Sequence, residues 1–420
     1  MTRPIVTVLF AEATAPVVLA QTPPLLRAWR EAGRRVDAAV FTSPRALFLP
    51  GARAAHRSAL RKIEDATQRA PWRRTHLPRD AGFPGLGASL AKALRERDDD
   101  DAILLCRQPR AAIIGIAARD RLAKQGRRAT VVLDLRGLRD DEYLLTLGKT
   151  EAALSPAERK RFDTYRTQEA AACRGADGVL CVSRPMMRAV RQRYGLPDDR
   201  LGRAPNHTSR VEAPEDLRVA VRDELRVAPD ALLFIYSGTM AAWQRPAESA
   251  LLVNALRLHR PDVRLLFLTP EIAAARKAVA QTGLDGVLYR SAKQSDVHRY
   301  LCAADYGLLL REESMVNRVA CPVKFGEYLA CGVRPVMTPH IGDQSDLAAE
   351  KGLGVVVGMG DVVSAAKQIS LDIARPGTLD ADGRARRRTW AAENISAEIV
   401  AARIAEFADA VAAARDGRAR

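Results

Sequence analysis

Short apolar runs, each followed by a helical stretch, recur along the whole chain, which is the pattern of a parallel sheet with helices on both faces. In the first half the runs are Ile5–Phe10, Val36–Phe41, Ala102–Cys106, Thr130–Leu135 and Gly178–Val182. Helical stretches such as Leu25–Ala32 and Arg57–Gln68 lie between them. Leu201–Pro205 leads into a stretch rich in Pro and charge, and the pattern then restarts. Strands are predicted at Ala231–Tyr236, Val263–Leu268, Gly286–Tyr289, Tyr306–Leu310 and Val333–Met337. Helices are predicted at Pro246–His259, Ile272–Thr282, Val297–Ala303 and Pro322–Cys331, and an amphipathic helix, Ala397–Ala414, closes the chain. The expected fold class is therefore α/β with two doubly wound Rossmann-like domains. Residues 1–210 form the first, 211–229 a linker that runs into a short helix, 230–395 the second, and 396–420 a helix and tail. In such sheets ligands bind in a cleft at the carboxyl ends of the strands.

With 420 residues, 47% of them hydrophobic, the chain can fill two cores of ordinary size. No run approaches the roughly 20 apolar residues that span a bilayer. The apolar opening is broken by Glu12, Thr14 and Pro16, so it reads as a buried first strand rather than a signal peptide. None of the six cysteines forms a CxxC pair, the usage of a cytoplasmic protein, and metal-ligand spacing is missing. Neither a metal nor a cofactor is expected.

The net charge of +16 is unevenly spread. Residues 1–210 hold 39 Lys and Arg against 23 Asp and Glu, whereas residues 211–420 hold 27 of each. Such asymmetry points to a partner: a membrane surface, a nucleic acid or an anionic substrate. Aromatic residues, at 5%, are too few for base-stacking platforms, and no basic-aromatic strand pattern occurs, so nucleic acid is not expected.

The densest chemical signal is LLLREESMVNRVACPVKFGEYLACGVRPVMTP, residues 308–339. Pro322 at the first position and Gly332 past the end frame a helix whose start offers free N–H groups to an anion. Asn317 and Arg318 lie just before it, Lys324 in its first turn, and Glu327 one turn further on the same face. A phosphate at the helix start, with a carboxylate a turn away for vicinal hydroxyls, matches the two ends of a nucleoside diphosphate. A plain surface Lys–Glu pair would give the same local pattern.

The EYLACGVRPV run resembles the donor-site signature of family-4 glycosyltransferases, which have the GT-B fold. The likeness extends to YSGTMAAWQRP, VLYRSAKQSDVHRYLCAADYGLLL, VVLDLRGLRDDEY and ADGVLCVSRPMMRAVRQRYG. It implies a metal-independent enzyme that moves a sugar from a nucleotide-sugar to an acceptor hydroxyl with retention, in surface glycan or polysaccharide synthesis. It implies ribose binding by Glu327 and base contact around Arg290 and Ser291. Gly238 and Thr239 fall in the donor loop, and Arg318 and Lys324 are the expected catalytic cations. Two departures stand out. The family's first donor glutamate would fall at Val319, and its loop Arg and Lys would fall at Thr239 and Gln244, with Arg245 adjacent. A nucleotide-sugar epimerase and a catalytically inactive nucleotide-sugar-binding subunit are the alternatives.

On the acceptor side, Arg107 and Arg136 follow strand ends, and Asp134 either orients Arg136 or meets an acceptor hydroxyl. A purely structural Arg–Asp pair is equally consistent. The loop Ala11–Val17 follows the first strand. Residues 53–79 concentrate Arg53, Arg57, Arg61, Lys62, Arg69, Arg73, Arg74 and Arg79 around Trp72. This patch predicts docking on an anionic surface, the cytoplasmic leaflet carrying a glycan or lipid-linked acceptor. GKT at 148–150 lacks the upstream Gly of a P-loop, because Tyr143 stands there.

Overall fold

The structure, a computed structural model, describes residues 2–10, 14–42, 44, 50–75, 83–97, 101–209, 211 and 214–418. The chain divides into two compact units, Met1–Pro205 with Ala397–Arg420, and Asn206–Ser396.

Unit 1 is built on an all-parallel sheet of β1 (Ile5–Phe10), β2 (Val36–Thr42), β3 (Trp72–Thr75), β4 (Ala102–Arg107), β5 (Ala129–Leu135), β6 (Gly178–Cys181) and β7 (Leu201–Arg203). The spatial order is β3-β2-β1-β4-β5-β6-β7. Ile5 pairs with Val36 on one side and Ile103 on the other, so the order reverses between β1 and β4. Crossovers run through α1 (Pro16–Glu31), α2 (Pro50–Thr67), α3 (Phe83–Glu96), α4 (Gln108–Ala123), α5 (Arg139–Leu147), α6 (Pro156–Gly175) and α7 (Arg184–Tyr194). The expected helix Leu25–Ala32 is the second half of α1, which continues through Pro23 and Pro24. Burial of Val18, Leu25, Leu26 and Trp29 in the core outweighs the backbone bonds that the prolines forfeit.

Unit 2 carries a second parallel sheet of β8 (Leu233–Ser237), β9 (Arg264–Leu268), β10 (Leu288–Arg290), β11 (Tyr306–Leu309), β12 (Arg334–Met337) and β13 (Val355–Val356). Its order is β10-β9-β8-β11-β12-β13, with the reversal between β8 and β11. Successive β8 residues face opposite cores: Leu233 and Ile235 one, Phe234 and Tyr236 the other. That accounts for the continuous apolar runs of the sequence. Its helices are α8 (Glu215–Leu225), α9 (Pro246–Arg257), α10 (Ile272–Ala280), α11 (Val297–Ala303), α12 (Met315–Val319), α13 (Val323–Ala330), α14 (Gln344–Glu350), α15 (Val362–Ile373) and α16 (Ala381–Ile395).

The division differs from the expected one in two places. The short helix expected in the stretch 211–229 is α8, and because its Val221 and Leu225 enter the unit 2 core the stretch belongs to unit 2 rather than linking two units. Arg218 and Arg222 of α8 also bind the buried Asp305 carboxylate at 2.5 and 3.4 Å. The closing helix α17 (Ala397–Arg418) is an integral part of unit 1 rather than a tail. Trp29 Nε1 donates to Ala401 O at 2.7 Å, and Arg34 grips Asp409 at 2.6 and 2.8 Å. A Cβ at Gly202 would meet the Phe407 ring at 2.7 Å, so β7 needs glycine where α17 passes.

All six cysteines are buried and free. Among the described residues no helix is long and apolar enough to cross a membrane, and no group of three or more His, Cys, Asp or Glu could hold a metal ion.

Candidate functional site

In unit 2 the strand order reverses between β8 and β11, and their carboxyl ends carry the site. The chain leaves β8 through Gly238, whose φ of +124° is open to glycine alone at low cost. Its N–H donates to Leu268 O at 3.0 Å, which pins the loop across the sheet end. A Cβ at this position would lie 2.7 Å from Cε and Nζ of Lys324. The missing side chain is thus the room that Lys324 occupies.

Lys324 belongs to the first turn of α13, as expected. Its ammonium donates to Gln244 Oε1 and lies 5.0 Å above the Tyr236 ring. Gln244 Nε2 in turn donates to Thr239 Oγ1 at 2.9 Å, and the Tyr236 hydroxyl donates to Thr239 O at 2.6 Å. Thr239 and Gln244, which replace the expected loop cations, therefore receive one from α13. Burial and the nearby Arg311 push the Lys324 ammonium down to about 7, against the pull of Glu327. Burial raises the Glu327 carboxyl, and Lys324 opposes that shift.

Arg311, one residue from the residue that ends the β11 apolar run, was not singled out by its sequence context. Its backbone is fixed on both sides by Thr338 Oγ1, which accepts from its N–H and donates to its carbonyl, each at 2.9 Å. Its Nε is buried with no hydrogen-bond partner. Burial lowers the guanidinium, and the neighbouring Tyr236 and Tyr328 offset this only in part. A cation directly past a strand at the switch point is the signal that could have found it.

The segment expected to cross as a loop folds into the short helix α12. Ser314 caps it by accepting from Asn317 N–H at 3.3 Å, and the buried Asn317 side chain donates to Glu312 O at 2.9 Å. Asn317 therefore shapes the segment. Arg318 is exposed on α12 and pairs with Glu313 at 2.5 Å, so the structure does not bring it to Lys324. Val319, where the family's first donor glutamate would fall, is buried. Arg245 adopts a left-handed conformation (φ 49°) at the start of α9, and its Nε is buried without a partner.

Arg290 ends β10, the edge strand, where its carbonyl accepts from Thr269 N–H at 2.9 Å and its guanidinium donates to Tyr289 O at 3.0 Å. Ser291 follows, exposed. β10 lies two strands from β8, a lateral distance of about 10 Å.

In unit 1, Arg107, Asp134 and Arg136 do come together. Asp134 faces Arg107 at 3.3 Å and Arg136 at 2.7 Å, with all three side chains 7% exposed or less. Arg136 also donates to Ala204 O at 3.3 Å. The carboxylate is held between two guanidinium groups, the structural pairing that the sequence left open. Residues 11–13 of the expected acceptor loop, and Arg79 of the basic patch, lie outside the described residues. Trp72 is on β3 and packs edge-on against Phe41, with ring centroids 5.3 Å apart.

The fold these two sheets define is GT-B, the architecture of a large class of glycosyltransferases. No family model and no curated relative matches the chain. Solved structures do. A glycosyltransferase from Rickettsia africae matches over 98% of this chain and 98% of its own, at 12% identity and a TM-score of 0.67. Anabaena HepE in complex with UDP matches over 96% of this chain and 99% of its own, at 15% identity and a TM-score of 0.67. A UDP-forming trehalose-phosphate synthase from Burkholderia vietnamiensis matches over 99% and 98%, at 14% identity and a TM-score of 0.60.

Proposed function

We propose that this chain is a glycosyltransferase that moves a sugar from a nucleoside-diphosphate sugar to an acceptor hydroxyl, with the donor held in unit 2. The observation that carries this reading is the delivery of the Lys324 ammonium, over Gly238, to Gln244 at the switch point of the sheet. Glu327 would take the ribose hydroxyls, and the backbone at Arg290 and Ser291 the base. HepE, with the same fold, has been solved with UDP and with UDP-glucose, which supports a nucleotide-sugar as ligand.

In the reaction, the acceptor oxygen bonds to the anomeric carbon while the bond from that carbon to the distal phosphate oxygen breaks. The electron pair stays on the diphosphate, and the acceptor proton leaves with it. Charge therefore grows on the phosphate, and a preorganised, half-buried ammonium stabilises it. The family resemblance supports retention, metal independence and a role in surface glycan or polysaccharide synthesis. The acceptor would be a glycan or a lipid-linked glycan at the cytoplasmic face of a membrane, approached by unit 1.

Thermal-shift screening against nucleotides and nucleotide-sugars, followed by product analysis, tests the proposal. A bound donor at 100 times its Kd should add about 2.7 kcal/mol of stability. Transfer to an added acceptor supports the enzyme. Binding without turnover would favour an inactive subunit, which the buried Val319 at the expected glutamate position motivates. A changed sugar configuration with no acceptor present would favour an epimerase.

A further inference from the structure

The charges around Lys324 do not balance. Arg311 is within electrostatic reach of Lys324 and makes it harder to charge. The carboxylate that acts on Lys324 is Glu327, one turn along α13. Tyr236 and Tyr328 face Arg311, and neither is an anion at neutral pH. Glu271 acts on Tyr236 and already accepts from Met240 N–H at 2.6 Å. Glu313 is taken by Arg318. Glu327 thus answers Lys324 alone, both cations are half-buried, and the buried Arg311 Nε–H has nothing to donate to. Burying a charge without a partner is costly, so such an arrangement persists where a ligand supplies the missing charge.

The position of the pair gives the ligand's class. Arg311 leaves β11 and the Gly238 loop leaves β8, the two strands that flank the switch point. The Lys324 ammonium reaches Gln244, and the Tyr236 hydroxyl, on the ring beneath that ammonium, holds Thr239 O. These are the two loop positions where cations were expected and polar residues stand. We infer that Arg311 and Lys324, supplied from β11 and α13, together form the diphosphate seat of this chain beside the loop after β8. The inference rests on the donor reading above and adds Arg311 as the residue that recognises the second negative charge. An arginine suits this role because its planar fork can hold two phosphate oxygens at once.

Calorimetric titration with inorganic pyrophosphate, which needs no knowledge of the base, tests the inference, with UDP as a second probe. Wild type should bind pyrophosphate, and Arg311→Met should weaken both ligands by about tenfold or more. Arg311→Lys keeps the charge and loses the fork, so its loss should be intermediate. Arg318→Met, exposed and paired with Glu313, should bind as wild type does. If Arg311→Met folds and binds both probes with unchanged affinity, the inference is wrong and the donor reading stands. If wild type binds neither pyrophosphate nor any nucleoside diphosphate, the donor reading itself falls, and the inference with it. Should Arg311→Met fail to fold, Arg311→Lys decides, and unchanged affinity for pyrophosphate overturns the inference.

Discussion

The Lys324 ammonium is hydrogen-bonded to Gln244, 80 residues earlier in the chain, and it fits there only because residue 238 has no side chain. Sequence spacing places Lys324 and Glu327 on one helix face, but only the fold shows that the lysine leans out of α13 onto the loop after β8. Gly238→Ala should therefore disable the site through sterics alone. A methyl group 2.7 Å from Nζ must displace Lys324, and a φ of +124° strains any L-residue. We expect a stability loss of about 1–3 kcal/mol from the backbone and donor affinity at least about tenfold weaker from the displaced cation. Urea unfolding and donor titration measure the two effects separately.

The site should respond to pH through Lys324. Its ammonium is held down to about 7 in the folded protein, well below the unfolded value of 10.5, by burial and by Arg311, with Glu327 opposing. Between these two values the unfolded chain binds more protons, so the group's contribution to stability rises with pH from about 7 to 10.5. Below pH 7 the penalty is present in full. Lys324→Met should abolish this slope, seen as a smaller gain in urea midpoint between pH 7 and pH 9 than wild type shows. Donor binding should run the other way. A diphosphate prefers the charged amine, so affinity should fall as the pH rises above 7, and binding near neutrality should take up a proton. Calorimetry in two buffers of different ionisation enthalpy reads that proton directly.

The pairing of Arg318 with Glu313 separates two residues that sequence analysis grouped together. Lys324→Ala and Glu327→Ala should each nearly abolish transfer, because Lys324 reaches the loop after β8 and Glu327 acts on it from one turn along α13. Arg318→Ala should keep most activity, because its guanidinium is exposed and satisfied on α12. Glu312→Ala should be milder still, since it is the Glu312 backbone that is used, as acceptor for Asn317 and donor to Trp243 O. Steady-state rates for the four variants check this order, and a dead Arg318→Ala would return that residue to the site.

The long buried strands and helix α13 were legible because parallel strands are apolar on both faces and helix ends carry Pro and Gly. What failed to show has physical causes. β3 is WRRT, an edge strand with two arginines, and it reads as a charged patch rather than as sheet. β13 has two residues, too short for any periodicity. α1 was cut at Pro23–Pro24 because local cost was visible and tertiary burial was not. Arg311 was passed over because its distinguishing features, the clasp by Thr338 and the neighbouring Tyr236 and Tyr328, involve residues remote in sequence. The exposure of Arg318 follows from α12, a single short turn of helix whose apolar content is too small to announce it.

Asp134 should act first on stability. Asp134→Asn removes the carboxylate that Arg107 and Arg136 both bind, and removing one member of such a buried cluster costs about 3–5 kcal/mol. Both guanidinium groups lie within 3.3 Å of the carboxylate, so neither can easily turn to water. Replacing Arg107, Asp134 and Arg136 together by apolar residues of similar volume should cost much less. Denaturation midpoints of the single and triple variants decide the matter. A stable Asp134→Asn protein with a raised acceptor KM would instead assign Asp134 to the acceptor.

The basic face of unit 1 should bind anionic membranes through α2 rather than through Trp72. Arg53, Arg57 and Arg61 are exposed and spaced by four residues, so they form one stripe along that helix, with Lys62 exposed beside it. Each such residue near an anionic surface is worth about 1 kcal/mol. Trp72 is half-buried against Phe41, so its ring already belongs to the sheet edge and is a poor interfacial anchor. Vesicles containing phosphatidylserine should sediment the protein at low salt, and added salt should release it. Changing Arg53, Arg57 and Arg61 together to Glu should abolish sedimentation with little effect on the thermal midpoint. Trp72→Ala should do the reverse, lowering the midpoint while leaving vesicle binding largely intact. Loss of binding in Trp72→Ala at full stability would show that the ring inserts after all. If wild type stays in the supernatant with strongly anionic vesicles, the acceptor is a soluble molecule and the charge of unit 1 serves to recognise it.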